Sequence, residues 1–266
     1  MLYYARNLLP EKMRRYNFPK IKGEQNMKYG IQMYSVRDSA KDNILSAMEG
    51  VKRIGYDAVE FAGFFDHTSA EIRDMLDKTG LECSGTHSSW KGLLPDVIEE
   101  IVRYHREIGN TSYIIPSAEL KTPEQLDSFV ELVNFAQPLL KKEGIDLAFH
   151  NHSTEFRLMP WGATIHSQLE LRTKINFELD TYWLWNAGAD PIATMKRLAY
   201  RMPVIHLKDG LADGTGKSLG EGEAPVNDVL RTAREMGVRI VVESEGLQPD
   251  GMSEVARCMD FLKKNV

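Results

Sequence analysis

The sequence predicts an α/β fold, a (β/α)8 TIM barrel built as a single domain. Three observations predict it. Short β-rich runs alternate with helical stretches eight times from Met27 onward. The ends of those runs step by 26 to 37 residues, which leaves room for a helix and two loops, the spacing of parallel strands joined by helical crossovers. The first turn reads Tyr34-Ser35-Val36-Arg37-Asp38, without the glycine-rich loop of a doubly wound open sheet.

The expected strands are Tyr29–Tyr34, Asp57–Phe61, Glu82–His87, Ser112–Ile115, Ile145–His150, Lys174–Asp180, Val204–Lys208 and Val238–Glu243. The helices between them carry start and stop signals. Leu45, Met48, Val51 and Ile54 recur every third residue, and Gly55 follows as a C-terminal stop. Thr68-Ser69-Ala70-Glu71 is a capping box ahead of Ile72, Met75 and Leu76, with Gly80 closing. Ile98, Ile101, Val102, His105 and Ile108 form the next stripe, ending at Gly109. Thr122-Pro123-Glu124-Gln125 opens a long helix with a hydroxyl cap, a proline in the first turn and an acceptor after it. Pro138 inside that helix predicts a kink or break. Pro225 and Pro249 open the last two major helices.

Composition bounds the function. The 266 residues are 42% hydrophobic and 27% charged, as in soluble globular proteins, which excludes a disordered tail, a collagen-like rod and a small disulfide scaffold. No apolar run approaches the roughly 18 residues of a membrane-spanning helix. A net charge of −5 repels phosphate backbones, so no nucleic-acid partner is expected. Cys83 and Cys258 lack metal-ligand spacing and read as reduced core thiols of a cytoplasmic protein. The pattern leaves oligomerisation open.

Residues 1–26 stand apart. They hold six basic and two acidic residues, which leaves −9 for the remaining chain. They have neither the apolar core of a secretory signal nor the serines of a transit peptide. Two readings stay open: a surface extension, or a segment upstream of a natural start at Met27. The codons for Lys22-Gly23-Glu24-Gln25-Asn26 can spell a purine-rich ribosome-binding site just before that methionine.

In a barrel of this kind reacting groups sit at the C-terminal ends of the strands. Ionisable residues recur there: Glu60, His87, His150-Asn151-His152 with Glu155, Asp180, His206-Leu207-Lys208-Asp209 and Glu243-Ser244-Glu245. Each follows an apolar run, and buried charge is costly unless paired or metal-bound. Asp180, His206 and Glu243 form a mixed nitrogen and oxygen donor set. With one more ligand it suits one divalent ion: Mn²⁺, Mg²⁺, Co²⁺, Zn²⁺ or Fe²⁺. The alternative is a salt-bridged mouth without metal. Tyr34, Phe64, Phe65, Trp90, Trp161, Trp183 and Trp185 fall in or near loops on the same face, where they stack on a sugar or simply pack.

These motifs resemble the xylose isomerase-like TIM-barrel superfamily of sugar phosphate isomerases and epimerases, over essentially all of residues 27–266. The residues carrying the likeness are Asp57-Ala58-Val59-Glu60-Phe61, Phe149-His150-Asn151-His152 with Glu155-Phe156, Phe177-Glu178-Leu179-Asp180-Thr181, Val204-Ile205-His206-Leu207-Lys208-Asp209, Gly220-Glu221-Gly222 and Val241-Val242-Glu243. The resemblance implies one divalent metal held from strands five to eight. Asp180, His206 and Glu243 carry over directly. Where family epimerases have a glutamate that is both ligand and base, this chain has His150. His150, His152 or Glu155 then supplies the fourth ligand.

The activity so implied is isomerisation or epimerisation of a keto-sugar or its phosphate through an enediolate. Glu243 would act as ligand and base, and His152 or Lys208 would return the proton. Glu60, His87, Glu155 and Trp183 are expected to contact the small-molecule sugar. The runner-up is a lyase or hydratase that expels a β-substituent from a 3-keto-glycoside or inosose-like polyol, since His150 removes one of two opposed carboxylates. A third reading is a non-catalytic sugar-binding barrel. Gly220-Glu221-Gly222 is short and acidic, which disfavours a phosphorylated substrate.

Overall fold

A computed structural model describes residues 28–265. The expectations for residues 1–26 lie outside the described residues. Eight strands form: β1 Tyr29–Gln32, β2 Ala58–Ala62, β3 Glu82–His87, β4 Ser112–Ile115, β5 Asp146–His150, β6 Asn176–Asp180, β7 Val204–Leu207 and β8 Arg239–Val242. Each pairs in parallel with the next, and β8 pairs with β1 to close the barrel. Helices surround it: α1 Arg37–Ala40, α2 Ile44–Ile54, α3 Ser69–Thr79, α4 Ile98–Glu107, α5 Pro123–Lys142, α6 Ile165–Arg172, α7 Thr181–Asn186, α8 Pro191–Leu198, α9 Val226–Met236 and α10 Gly251–Lys264. Among the described residues no helix is long and apolar enough to cross a membrane.

The local signals act as expected. Thr68 and Thr122 both close capping boxes, with Glu71 and Gln125 as the returning acceptors. Gly55 and Gly80 end α2 and α3 in left-handed conformations. The expected break at Pro138 does not occur, for α5 runs on to Lys142. Proline removes one backbone donor, while Val133, Ala136 and Leu140 stay buried on either side of it and hold the helix to the barrel. β1 ends two residues before Tyr34, because the Gln32 side chain accepts the Tyr34 N–H at 3.1 Å and starts a 3-10 turn. Lys208 and Glu243 lie just past β7 and β8, though the Glu243 N–H still donates to Leu207 C=O at 3.2 Å.

Strand alternation divides the barrel into two environments. Phe149, Phe177, Leu179, Ile205, Leu207, Ile240 and Val242 are buried in the outer core against the helices. Each full burial of such a side chain contributes roughly 1.5–3 kcal/mol. The intervening residues line the barrel interior, and here that lining is polar: Gln32, Glu60, His150, Glu178 and His206 are all at most 2% exposed. Gly85 makes room for one of them, since a Cβ there would lie 3.1 Å from Glu60 Oε2 and 2.7 Å from Ile114 Cδ1.

After β7 the chain folds a small hairpin, Asp209–Gly210 with Gly216–Lys217, which the sequence pattern did not announce. Cys83 and Cys258 form no disulfide.

Candidate metal centre at the barrel mouth

The polar residues of the barrel form two layers. In the lower layer Glu60 Oε1 accepts from Gln32 Nε2 at 2.7 Å and lies 2.8 Å from His206 Nε2. Glu178 Oε2 lies 2.7 Å from His87 Nε2 and 3.2 Å from both His206 Nε2 and His150 Nδ1, the last without the alignment of a hydrogen bond. Burial pushes Glu60 up to about 7. Burial also acts against the Glu178 carboxylate, but the His206 charge and the adjacent imidazoles of His150, His206 and His87 hold it well below the usual range. His87 and His206 are raised against burial by the same two carboxylates. The inner layer is therefore a set of carboxylates answered by imidazoles on one oxygen each, while Glu60 Oε2 and Glu178 Oε1 are buried without a partner.

The upper layer opens into a cavity of about 410 Å³, lined in part by Tyr34, His87, His150, His152, Glu243 and Glu245. Glu243 Oε2 lies 3.1 Å from His206 Nδ1 and 3.4 Å from Lys208 Nζ. Lys208 also pairs with Glu245, and its ammonium sits 4.7 Å from the Trp183 ring centre. Burial opposes charge on Glu243, yet Lys208 and His206 hold its pKa well below the carboxylate range. Burial likewise opposes charge on Lys208, and Glu243, Asp180 and Glu245 raise it further than burial lowers it.

Asp180 carries a like deficit in the upper layer. It ends β6 and caps α7, with Oδ1 accepting the Trp183 N–H at 2.8 Å. Oδ2 is buried and has no partner. Burial pushes this carboxyl up to about 7. The backbone beneath it is fixed from outside: Asn151 Oδ1 accepts the Asp180 N–H at 3.0 Å and Asn151 Nδ2 donates to its C=O at 3.2 Å.

His150, Asp180, His206 and Glu243 each present one donor atom within 4.8 Å of the others. Two imidazoles and two carboxylates suit a borderline or hard divalent ion. The unanswered Asp180 oxygen is the deficit such a cation fills. Glu60, on His206 Nε2, fixes that ring so that Nδ1 faces the cation position, the outer support that metal-binding histidines commonly have. A second set, His87, His150, Glu178 and His206, meets the same distance test. Its one carboxylate, Glu178, lies below the cavity, whereas the upper set adds a second carboxylate, Glu243, that lines it. The upper set fits better.

The residues expected from sequence separate accordingly. The four proposed ligands, His150, Asp180, His206 and Glu243, converge. His152 lines the mouth and Lys208 stands behind Glu243. Burial lowers the His152 pKa. His87 reaches the cavity, while Glu60 is wholly buried below it. Glu155 is 7% exposed and accepts the His152 N–H at 2.8 Å, so it shapes the loop after β5. Trp183 covers the Lys208 ammonium and lies 5.9 Å from the His152 ring. Glu178, Asn151 and Asp209 stand within the sequence motifs without an assigned role, and Gln32 lies outside them. Glu178 was findable, because it stands two residues before Asp180 on one strand and shares its face. A larger groove of about 750 Å³ runs along α5 and α6, far from this chemistry, and includes Asn134, Gln137, Lys141 and Arg172.

A family model described as xylose isomerase-like TIM barrel matches residues 48–265. Similar solved structures include a sugar phosphate isomerase/epimerase from Parabacteroides distasonis, 22% identical at TM-score 0.75 over 91% of this chain and 96% of that one. A D-allulose 3-epimerase from Methylomonas sp. is 12% identical at TM-score 0.69, over 90% and 98%. A probable 3-DHS dehydratase from Bacillus anthracis is 14% identical at TM-score 0.69, over 89% and 99%. At these identities the likeness carries the fold. No curated protein matches the chain.

Proposed function

The chain belongs to the xylose isomerase-like TIM barrel family, and from that premise we propose that it is a divalent-metal-dependent enzyme that isomerises or epimerises a keto-sugar or its phosphate through an enediolate. The observation that carries the reading is the open Asp180 oxygen gathered with His150, His206 and Glu243, of which His150 and Glu243 line the mouth cavity. A divalent ion held by those four residues supplies Lewis-acid polarisation of the substrate carbonyl. Glu243 takes the proton from the carbon beside that carbonyl. It is suited to the task because Lys208 and His206 keep it ionised while it still faces the cavity. His152 returns the proton, since it lines the mouth, whereas the Lys208 ammonium is engaged by Glu243 and Glu245. Lys208 acts as a fixed cation that steadies the base.

A second reading shares the first step. His150 stands where the family resemblance has a glutamate, and burial pushes its pKa down to about 3, so it is a neutral ligand. The mouth then lacks a second opposed carboxylate base, which favours loss of a β-substituent over reprotonation from the far face.

Proton NMR in D₂O tests both. With Mg²⁺ and a panel of keto-sugars and 3-keto-glycosides, the wild type is expected to exchange the proton beside the carbonyl, and Glu243→Gln is expected to stop the exchange. Appearance of the epimer favours the first reading, and new vinyl signals the second. No exchange with any member would sink both.

A further inference from the structure

A phosphorylated ligand of a (β/α)8 barrel commonly rests on backbone N–H groups in the loops after the seventh and eighth strands and at a nearby helix N-terminus. In this chain those groups already hold the protein's own carboxylates. Asp209, 1% exposed, accepts four of them. Its Oδ1 takes the N–H of Gly210 at 2.8 Å and of Ala224 at 3.2 Å. Its Oδ2 takes those of Gly220 at 2.8 Å and Gly222 at 3.0 Å. The Gly220-Glu221-Gly222 turn is thus an anion nest with its anion built in. The fit is close: a Cβ on Gly222 would lie 2.2 Å from Asp209 Oδ1.

The loop after β8 repeats the device. Glu254 of α10, also 1% exposed, accepts the N–H of Gly246 at 3.0 Å and of Gln248 at 2.9 Å, and the Ser244 hydroxyl. At the start of α10 the Gly251 N–H donates to Asp38 Oδ2 at 3.0 Å and the Ser253 N–H to Asp250 Oδ1 at 2.8 Å. Among the described residues, the cavity lining carries Glu243 and Glu245 and neither lysine nor arginine. Lys208, the buried cation behind it, is shared by those same two carboxylates.

We infer that the mouth takes an uncharged keto-sugar or polyol and excludes its phosphate esters. The inference rests on the sugar reading of the site and narrows it. A phosphate ester brings a charge of about −1.5 to −2 at neutral pH. It would find its natural cradle filled and, with Asp180 and Glu243 taken up by the cation, would still face Glu245 in a lining without lysine or arginine among the described residues. Discrimination against the ester of about 10-fold or more is expected from the filled cradle and the remaining like charge.

The test uses the whole chain with Mg²⁺. Saturation-transfer NMR compares D-fructose and D-ribulose with their phosphate esters, and phosphorus NMR follows inorganic phosphate. The wild type is expected to bind the free sugars and to leave the esters and inorganic phosphate unbound at millimolar concentration. Asp209→Ala vacates the nest and is expected to gain millimolar inorganic phosphate binding. Wild-type binding of any ester as tightly as its parent sugar, or of inorganic phosphate, would overturn the inference. So would a folded Asp209→Ala that gains nothing. If that variant does not fold, the wild-type comparison decides alone. Rejection of phosphate together with no deuterium exchange into any free sugar supports the exclusion and overturns the enediolate chemistry instead.

Discussion

Asp180 and Asp209 stand at the ends of neighbouring strands, both aspartates and both buried, and the chain treats them in opposite ways. Asp209 receives four backbone N–H groups, two on each oxygen. Asp180 receives one, and its second oxygen has none. A buried carboxylate with every lone pair answered is part of the scaffold. One left half-answered beside Glu243, His206 and His150 is raised in free energy unless a cation arrives. The difference separates a loop anchor from a candidate ligand, and the half-answered Glu60 and Glu178 one layer down differ from Asp180 in having imidazoles against their other oxygens.

The largest expected effect tests the ligand side. Asp180→Asn, His206→Ala and Glu243→Gln should each weaken metal binding by at least about 100-fold, since even outer-shell partners of metal ligands account for 10–100-fold. Turnover should be abolished with it. Metal content after dialysis, measured by plasma mass spectrometry, checks this. Asp180→Asn should also leave the metal-free protein as stable as the wild type or more so, because it removes an unpaired buried charge. Asp209→Asn in the same assays should lose stability first, for an amide offers one acceptor oxygen where two are used. If the two asparagine variants behave alike, the comparison fails.

The anchor side comes next. Asp209→Ala leaves four loop N–H groups without their acceptor, and each buried unsatisfied group costs about 1–3 kcal/mol where water cannot reach it. Partial hydration reduces the sum, so a loss of about 3 kcal/mol or more in urea unfolding is expected. Gly222→Ala should cost about 1–3 kcal/mol by forcing a methyl group against the same carboxylate.

A smaller effect concerns the lower layer. Glu60→Gln keeps an acceptor for His206 Nε2 but removes the charge behind it. Metal affinity should fall about 10-fold with stoichiometry unchanged. Isothermal titration with Mn²⁺ measures both, and a change in stoichiometry would mean that Glu60 is itself a ligand.

Much of this was legible in the sequence where the cause is local. The capping boxes at Thr68 and Thr122 are contacts over three residues, and the strand ends follow from alternation. The convergence of Asp180, His206 and Glu243 was legible because each follows an apolar run at a strand end of the repeat. Glu178 is marked by its period-two relation to Asp180, but it lies one layer below the strand ends where reacting groups are expected. Asp209 was illegible in its role. The glycines that hold it come 11 and 13 residues later, and the acid Glu221 between them says only that phosphate is disfavoured. Which anion fills a nest depends on how a loop closes, and the pattern of residues does not encode that closure.

The smallest effect at neutral pH comes from an unanswered atom that makes no site, and it limits the rule drawn from Asp180. His166 of α6 is buried between Phe156 and Phe177, with ring centres 4.4 Å from each, and its Nε2 has no partner. Burial, assisted by Arg197 and Arg201, pushes its pKa down to about 3. His105 is similar, lowered by burial to about 4, with Nδ1 3.0 Å from the Asn110 amide nitrogen. These imidazoles are neutral, so their burial needs no cation. The linkage has a definite sign. The unfolded chain protonates each ring below about pH 6.5 and the folded chain does not until about 3 or 4. Unfolding therefore takes up protons in that window, and stability falls as pH drops through it, while above 6.5 these groups contribute no slope. His166→Phe should remove its share. Relative to the wild type the variant should gain about 2 kcal/mol between pH 7 and pH 5, one and a half units below the unfolded pKa. Urea unfolding at the two pH values measures the gain. An equal offset at both would show that the ring is already charged in the fold, and that an unanswered polar atom outside the mouth still calls for a counter-charge.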